Sequence, residues 1–171
     1  MLKLIQRTRS RRVVAFITAT AMSALVGVGS TTAAIAAGGS HTQTFTDNYH
    51  GTQSIAVPSP CNGDMLVGSE ETNSVLHVTY FVQSDESWTT TTEEDRLSLV
   101  DQTSGVTYSG HDTFWGNNNV NRQNSNSTFT ATVHLTGSDG SSISYHEVGH
   151  ITMLPDGNIA VSFDKPSVSC G

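Results

Sequence analysis

Thr128-Phe129-Thr130-Ala131-Thr132-Val133-His134-Leu135-Thr136 is the stretch that decides the fold. Phe129, Ala131, Val133 and Leu135 fall on one side of an extended chain, and the threonines with His134 fall on the other. A strict period of two is the pattern of a strand with one buried face. Gly137-Ser138-Asp139-Gly140 follows as a hairpin turn, because glycine and aspartate tolerate the positive φ that such turns require. Ser142 to Leu154 forms the next strand, and Pro155-Asp156-Gly157-Asn158 makes a second turn. Ile159, Val161 and Phe163 then alternate with Ala160, Ser162 and Asp164, and Val168 to Cys170 ends the chain.

Working back from this segment, the same pattern recurs in shorter pieces. Thr44 to Tyr49 and Gln53 to Val57 are short strands before the Pro58-Ser59-Pro60 break. Val75 to Gln83 is β-branched and aromatic, and Val106 to Trp115 follows a turn at 101–105. Trp88 to Val100 is a strand whose centre, Glu93-Glu94-Asp95, reads as an exposed bend or bulge. The Asn-rich stretch from Gly116 to Asn126 reads as a long solvated loop, or alternatively as a rim that grips a ligand. Nothing shows a sustained helical period. About eight to ten strands on short turns predict an all-β antiparallel meander that closes into a small barrel, with a two-sheet β-sandwich as the alternative.

The first 36 residues read as a signal peptide. Lys3, Arg7, Arg9, Arg11 and Arg12 precede an apolar stretch from Val13 to about Val28, and Ala34 and Ala36 place cleavage after Ala36. Ser10-Arg11-Arg12 is compatible with a twin-arginine route as well as the general one. The apolar run falls short of the ~20 residues a membrane span needs, so no span is expected once the leader is removed. The predicted organisation is leader 1–36, an N-terminal extension with short strands 37–60, and a β domain 61–171. Removing the leader of the 171-residue chain takes five of its eight basic residues and none of its fifteen acidic ones, leaving a net charge of −12 with neutral histidines. Such a field opposes binding to nucleic acid or anionic membranes and reads first as a solubility device. Cys61 and Cys170 are the only cysteines, and outside the cell an isolated pair is most simply a disulfide.

His146-Glu147-Val148-Gly149-His150 matches H-E-x-x-H by letter. On a helix the two imidazoles share a zinc ion and the glutamate acts as base toward the metal-bound water. The flanks oppose a helix: Ser141-Ser142-Ile143-Ser144-Tyr145 lacks helix formers, and a Pro-Asp-Gly-Asn turn follows closely. On a strand, His146 and His150 share a face but stand about 13 Å apart at ~3.3 Å per residue. The expectation is therefore a strand with no catalytic residue and no cofactor; a zinc hydrolase using His146, Glu147 and His150 is the alternative. His134 lies three residues before the 137–140 turn and His146 six after it, and the two are candidate cross-strand neighbours, with His77 or His111 on an adjacent strand.

Several segments resemble a family of small secreted actinobacterial β-barrel-like proteins. They are Pro60-Cys61-Asn62-Gly63, Leu76-His77-Val78-Thr79, the His134-Leu135 strand, His146 to Thr152, and Pro155-Asp156-Gly157-Asn158 through to Cys170. The resemblance implies a barrel-like domain with a terminal disulfide and supplies no activity. On these grounds the expected function is a secreted binding or structural module. The inward apolar alternations suggest a small apolar ligand, and the Asn-rich stretch is the only hint of an adhesion role.

Overall fold

The computed structural model describes residues 42–171. The leader, its cleavage point at Ala36 and His41 lie outside the described residues. Seven strands make up the described chain: β1 Thr42–Pro58, β2 Met65–Phe81, β3 Glu86–Asp101, β4 Thr107–Val120, β5 Ser125–Gly137, β6 Ser142–Met153 and β7 Ile159–Cys170. Each pairs antiparallel with the next, so the sheet order is the sequence order, a simple meander. Among the described residues no ladder joins β1 to β7.

The strands are fewer and longer than the sequence pattern predicts. β1 is one 17-residue strand rather than two short ones in an extension, because the weakly β-forming Asn48-Tyr49-His50-Gly51 is carried by its partners Val75, Ser74, Asn73 and Thr72. The Asn-rich stretch is mostly strand, with Asn117 to Asn119 paired on β5 residues Thr128 to Asn126. Only the tight turn at 121–124 remains, held by Asn121 Oδ1, which accepts from the N–H groups of Gln123 (2.8 Å) and Asn124 (2.9 Å). β3 runs straight through Glu93-Glu94-Asp95 with no bulge. Both sequence-predicted hairpin turns are present, with Gly140 at φ 88° and Gly157 at φ 82°, a region that side chains rarely enter.

A flat seven-stranded sheet would hold its outer strands about 29 Å apart, six spacings of about 4.8 Å. Yet the Cys61–Cys170 disulfide joins the β1–β2 turn to the end of β7 with Cα atoms 6.0 Å apart. The sheet is therefore rolled. Its concave face carries the core, Leu66, Leu97, Leu99, Leu135 and Ile143, with Ile55, Val57, Tyr108 and Val133 packed against it. This core lies at the disulfide end, where Ile143 pairs with Cys170 and Leu66 with Val57.

The roll brings neighbouring backbones unusually close beside Leu97 and Leu99. A methyl group on Gly110 would lie 1.9 Å from the His134 carbonyl oxygen, and one on Gly68 would lie 1.9 Å from that of Ser98. Gly110→Ala is expected to cost about 1–3 kcal/mol through forced displacement of β5. At about 4 °C per kcal/mol for a domain of this size, thermal unfolding would shift down by roughly 4–12 °C. An unchanged melting temperature would show that the strands part freely there. At the opposite edge, β7 is exposed along its whole length, pairs among the described residues with β6 alone, and carries Lys165-Pro166 at its centre.

Candidate functional site

Alternation along β3 puts Glu93 and Asp95 on the same face as Leu97 and Leu99, which is the concave face. Across the ladders, Asp95 pairs with Thr72 on β2 and Asp112 on β4, while Glu70 pairs with Leu97 one step along. Directly paired residues have Cβ atoms about 4.5–5.5 Å apart and diagonal ones about 7–8 Å, so Asp95 and Asp112 are forced together with Glu70 in reach. One carboxylate oxygen from each of Glu70, Asp95 and Asp112 lies within 4.8 Å of the others. Glu70 is 5% exposed and Asp95 1%. Gln53 Nε2 donates to Glu70 Oε2 at 2.5 Å, whereas Asp95 Oδ1 is buried with no hydrogen-bond partner.

Among the described residues no basic side chain compensates these charges. Among the described residues the ion pairs are His50–Glu71 and Arg122–Asp85, each at 3.9 Å, and Lys165 lies over the Phe163 ring. Burial, reinforced by the neighbouring carboxylates, pushes both Glu93 and Asp112 up to about 8. Burial likewise raises Asp95, against the hydrogen bond from Thr72, and raises Glu70, against that from Gln53. The group must hold protons or a cation near neutral pH, because several carboxylates cannot all ionise in one buried site.

Beside this belt lies a cavity of about 90 Å³, walled by Leu66, Leu97, Leu99 and Ile143 and reaching Glu70 and Asp112. Tyr145 also lines it and donates its hydroxyl hydrogen bond to Glu147. Glu147 is only 1% exposed, its Oε1 has no partner, and burial raises its pKa.

The histidine motif is built otherwise than its letters suggest. Residues 146–150 lie within β6, so His146 and His150 share the convex face while Glu147 points to the concave one. His146 Nδ1 hydrogen-bonds Thr132 Oγ1 (3.0 Å), and His150 Nδ1 hydrogen-bonds Thr128 Oγ1 (2.7 Å). The His150 ring stacks on Phe163 with centroids 5.6 Å apart. The three groups do not converge on one point, so the helix-based zinc geometry is not formed. His134 pairs with Ser144 and His111 rather than with His146, which sits opposite Thr132. The His134 and His111 rings lie 5.6 Å apart, and His77 is bonded to Thr46 near the other edge.

The carboxylates Glu70, Glu93, Asp95 and Asp112 are the site residues that sequence reading missed. The signal was present in the phase of Glu93-x-Asp95-x-Leu97-x-Leu99, which places the acids on the leucines' face. No protein-family model, curated protein or solved structure matches the chain.

Proposed function

We propose that the chain is an exported, non-enzymatic binding domain: a barrel-like rolled sheet that takes a small cationic ligand in its interior. The observation that carries this reading is the belt of inward carboxylates with no basic partner among the described residues, placed beside a cavity. Desolvating such groups costs several kcal/mol per ion, and apolar replacements of buried charges are often more stable. A bound cation would offset that cost. The cavity volume constrains the occupant, since sites for drug-sized molecules run to about 300–1,000 Å³. At about 90 Å³ the space is too small for a large apolar ligand, and its acidic end at Glu70 and Asp112 is where a small cation would sit. Asp95 lies too deep for a bulky substrate, which favours binding over catalysis. The disulfide suits an oxidising exterior, and the leader and the resemblance to secreted actinobacterial proteins support export.

Native mass spectrometry of protein recovered from culture medium tests the reading. A bound species is expected above the polypeptide mass, and it should be missing from an Asp95→Asn/Asp112→Asn double variant. Bare polypeptide that no small cation, organic or inorganic, stabilises against heat would overturn it.

A further inference from the structure

We propose that Glu70, Asp95 and Asp112 are the ligands of a hard divalent cation, calcium first, bound where β2, β3 and β4 run side by side. The inference rests on reading the rolled interior as the binding site and names its ligand. Every donor in the group is a carboxylate oxygen, the set that hard ions take, while zinc and copper favour imidazole and thiolate. The imidazoles of His77, His134, His146 and His150 each hydrogen-bond a Thr or Ser hydroxyl on the same ladder row, on the face opposite this belt.

The spacing agrees. Ca²⁺ holds oxygens at about 2.3–2.6 Å, so two on opposite sides of one ion lie up to about 5 Å apart. The three oxygens, all within 4.8 Å of one another, can therefore share one ion without moving apart. Asp95, 1% exposed, accepts from Thr72 and meets the neighbouring carboxyls, yet its Oδ1 is buried with no hydrogen-bond partner among the described residues. Native interiors rarely leave such an atom unpaired. Three adjacent paired strands make the frame rigid, and the adjoining cavity, apolar elsewhere, reaches the group at Glu70 and Asp112. Extracellular calcium modules operate with dissociation constants of about 10⁻⁴–10⁻³ M, so a site of modest affinity would fill outside the cell.

The test uses the disulfide-intact mature chain, stripped with chelator and titrated separately with CaCl₂, MgCl₂, ZnCl₂ and methylammonium chloride. CaCl₂ is expected to bind one ion per chain and to raise the melting temperature by about 10 °C at a hundredfold excess over Kd. ZnCl₂ should do less. Asp95→Asn and Glu70→Gln should each weaken calcium binding at least tenfold, whereas Glu71→Gln, on the opposite face, should leave it unchanged. Carbon-13 shifts of the Glu70, Asp95 and Asp112 carboxyls in the unsubstituted protein read the same site should a variant fail to fold. No shift and no stabilisation at about 10 mM CaCl₂, ten times the weakest such constant, would overturn the proposal. Equal binding by Asp95→Asn would do the same. Stabilisation by methylammonium but not by CaCl₂ would remove calcium and keep the interior-binding reading; failure of every cation would remove both.

Discussion

Replacing Cys61 and Cys170 with serine is expected to lower stability by about 4–5 kcal/mol, the chain-entropy value for closing a loop of about 110 residues. For a domain of this size that corresponds to a melting temperature lower by roughly 15–20 °C. Chain entropy is only part of the physical reason. The bond ties the β1–β2 turn to the end of β7, two points that the sheet's hydrogen bonds leave at opposite edges. Without it, each ladder can stay intact while the roll loosens and water reaches Leu66, Leu99 and Ile143. Urea unfolding of the double serine variant and of reduced protein would check this. Full loss should appear in the midpoint, together with a smaller slope if the unclasped native state is already more open. A midpoint equal to that of the oxidised protein would mean that the core alone maintains the roll.

In chelator-containing buffer the domain should become less stable as pH rises from about 4.5 to 8. Glu93 and Asp112 have folded-state values near 8, far above the ordinary carboxylate range, and Glu70, Asp95 and Glu147 are raised in the same direction. Over this window the native state binds more protons than the unfolded chain, so stability falls with increasing pH. The contribution is complete below the unfolded values and is lost as pH climbs through the folded ones. Asp101, Asp139 and Asp156 act oppositely: turn N–H groups or the Ser141 hydroxyl hold their values down, so they lose stability only below about pH 4. The optimum should therefore lie near pH 4–5. Each pK unit of effective shift is worth about 1.4 kcal/mol, and because these carboxylates titrate as a coupled set their individual shifts do not sum. Thermal melts across pH measure the slope, and Glu147→Gln should flatten it, since an amide carries no charge to desolvate. A stability maximum near pH 7 in chelator would contradict the prediction.

The fold was legible where side chains and strand period agree, as along Thr128 to Thr136 and at the turns holding Gly140 and Gly157. It was illegible where pairing supplied what local preference lacked. Asn117 to Asn119 are poor strand formers, yet their β3 and β5 partners, including Thr89, Thr90 and Thr128, hold them extended. The site was hidden by a reasonable prior. A run such as Glu93-Glu94-Asp95 usually faces water, and only its phase against Leu97 and Leu99 shows that two of its three acids point inward. Whether the opposing residues would be basic or acidic depended on a register that one strand cannot reveal. Asp112 and Glu70 come from strands paired on either side of β3.

β7 leaves one further consequence. Ile159-Ala160-Val161-Ser162-Phe163 is a short, uncharged, β-forming run on an open edge, the kind of segment on which fibrils grow. Asp164-Lys165-Pro166 follows at once and acts as a gatekeeper. Proline sits in a sheet without cost only at an edge with its nitrogen facing outward, so a strand arriving from another molecule meets a missing donor. Beside that gap stands a lysine whose charge an incoming copy would have to bury. The same proline and lysine that make β7 a poor template should keep the protein dispersed where it is concentrated, leaving the sheet to end with its own seventh strand.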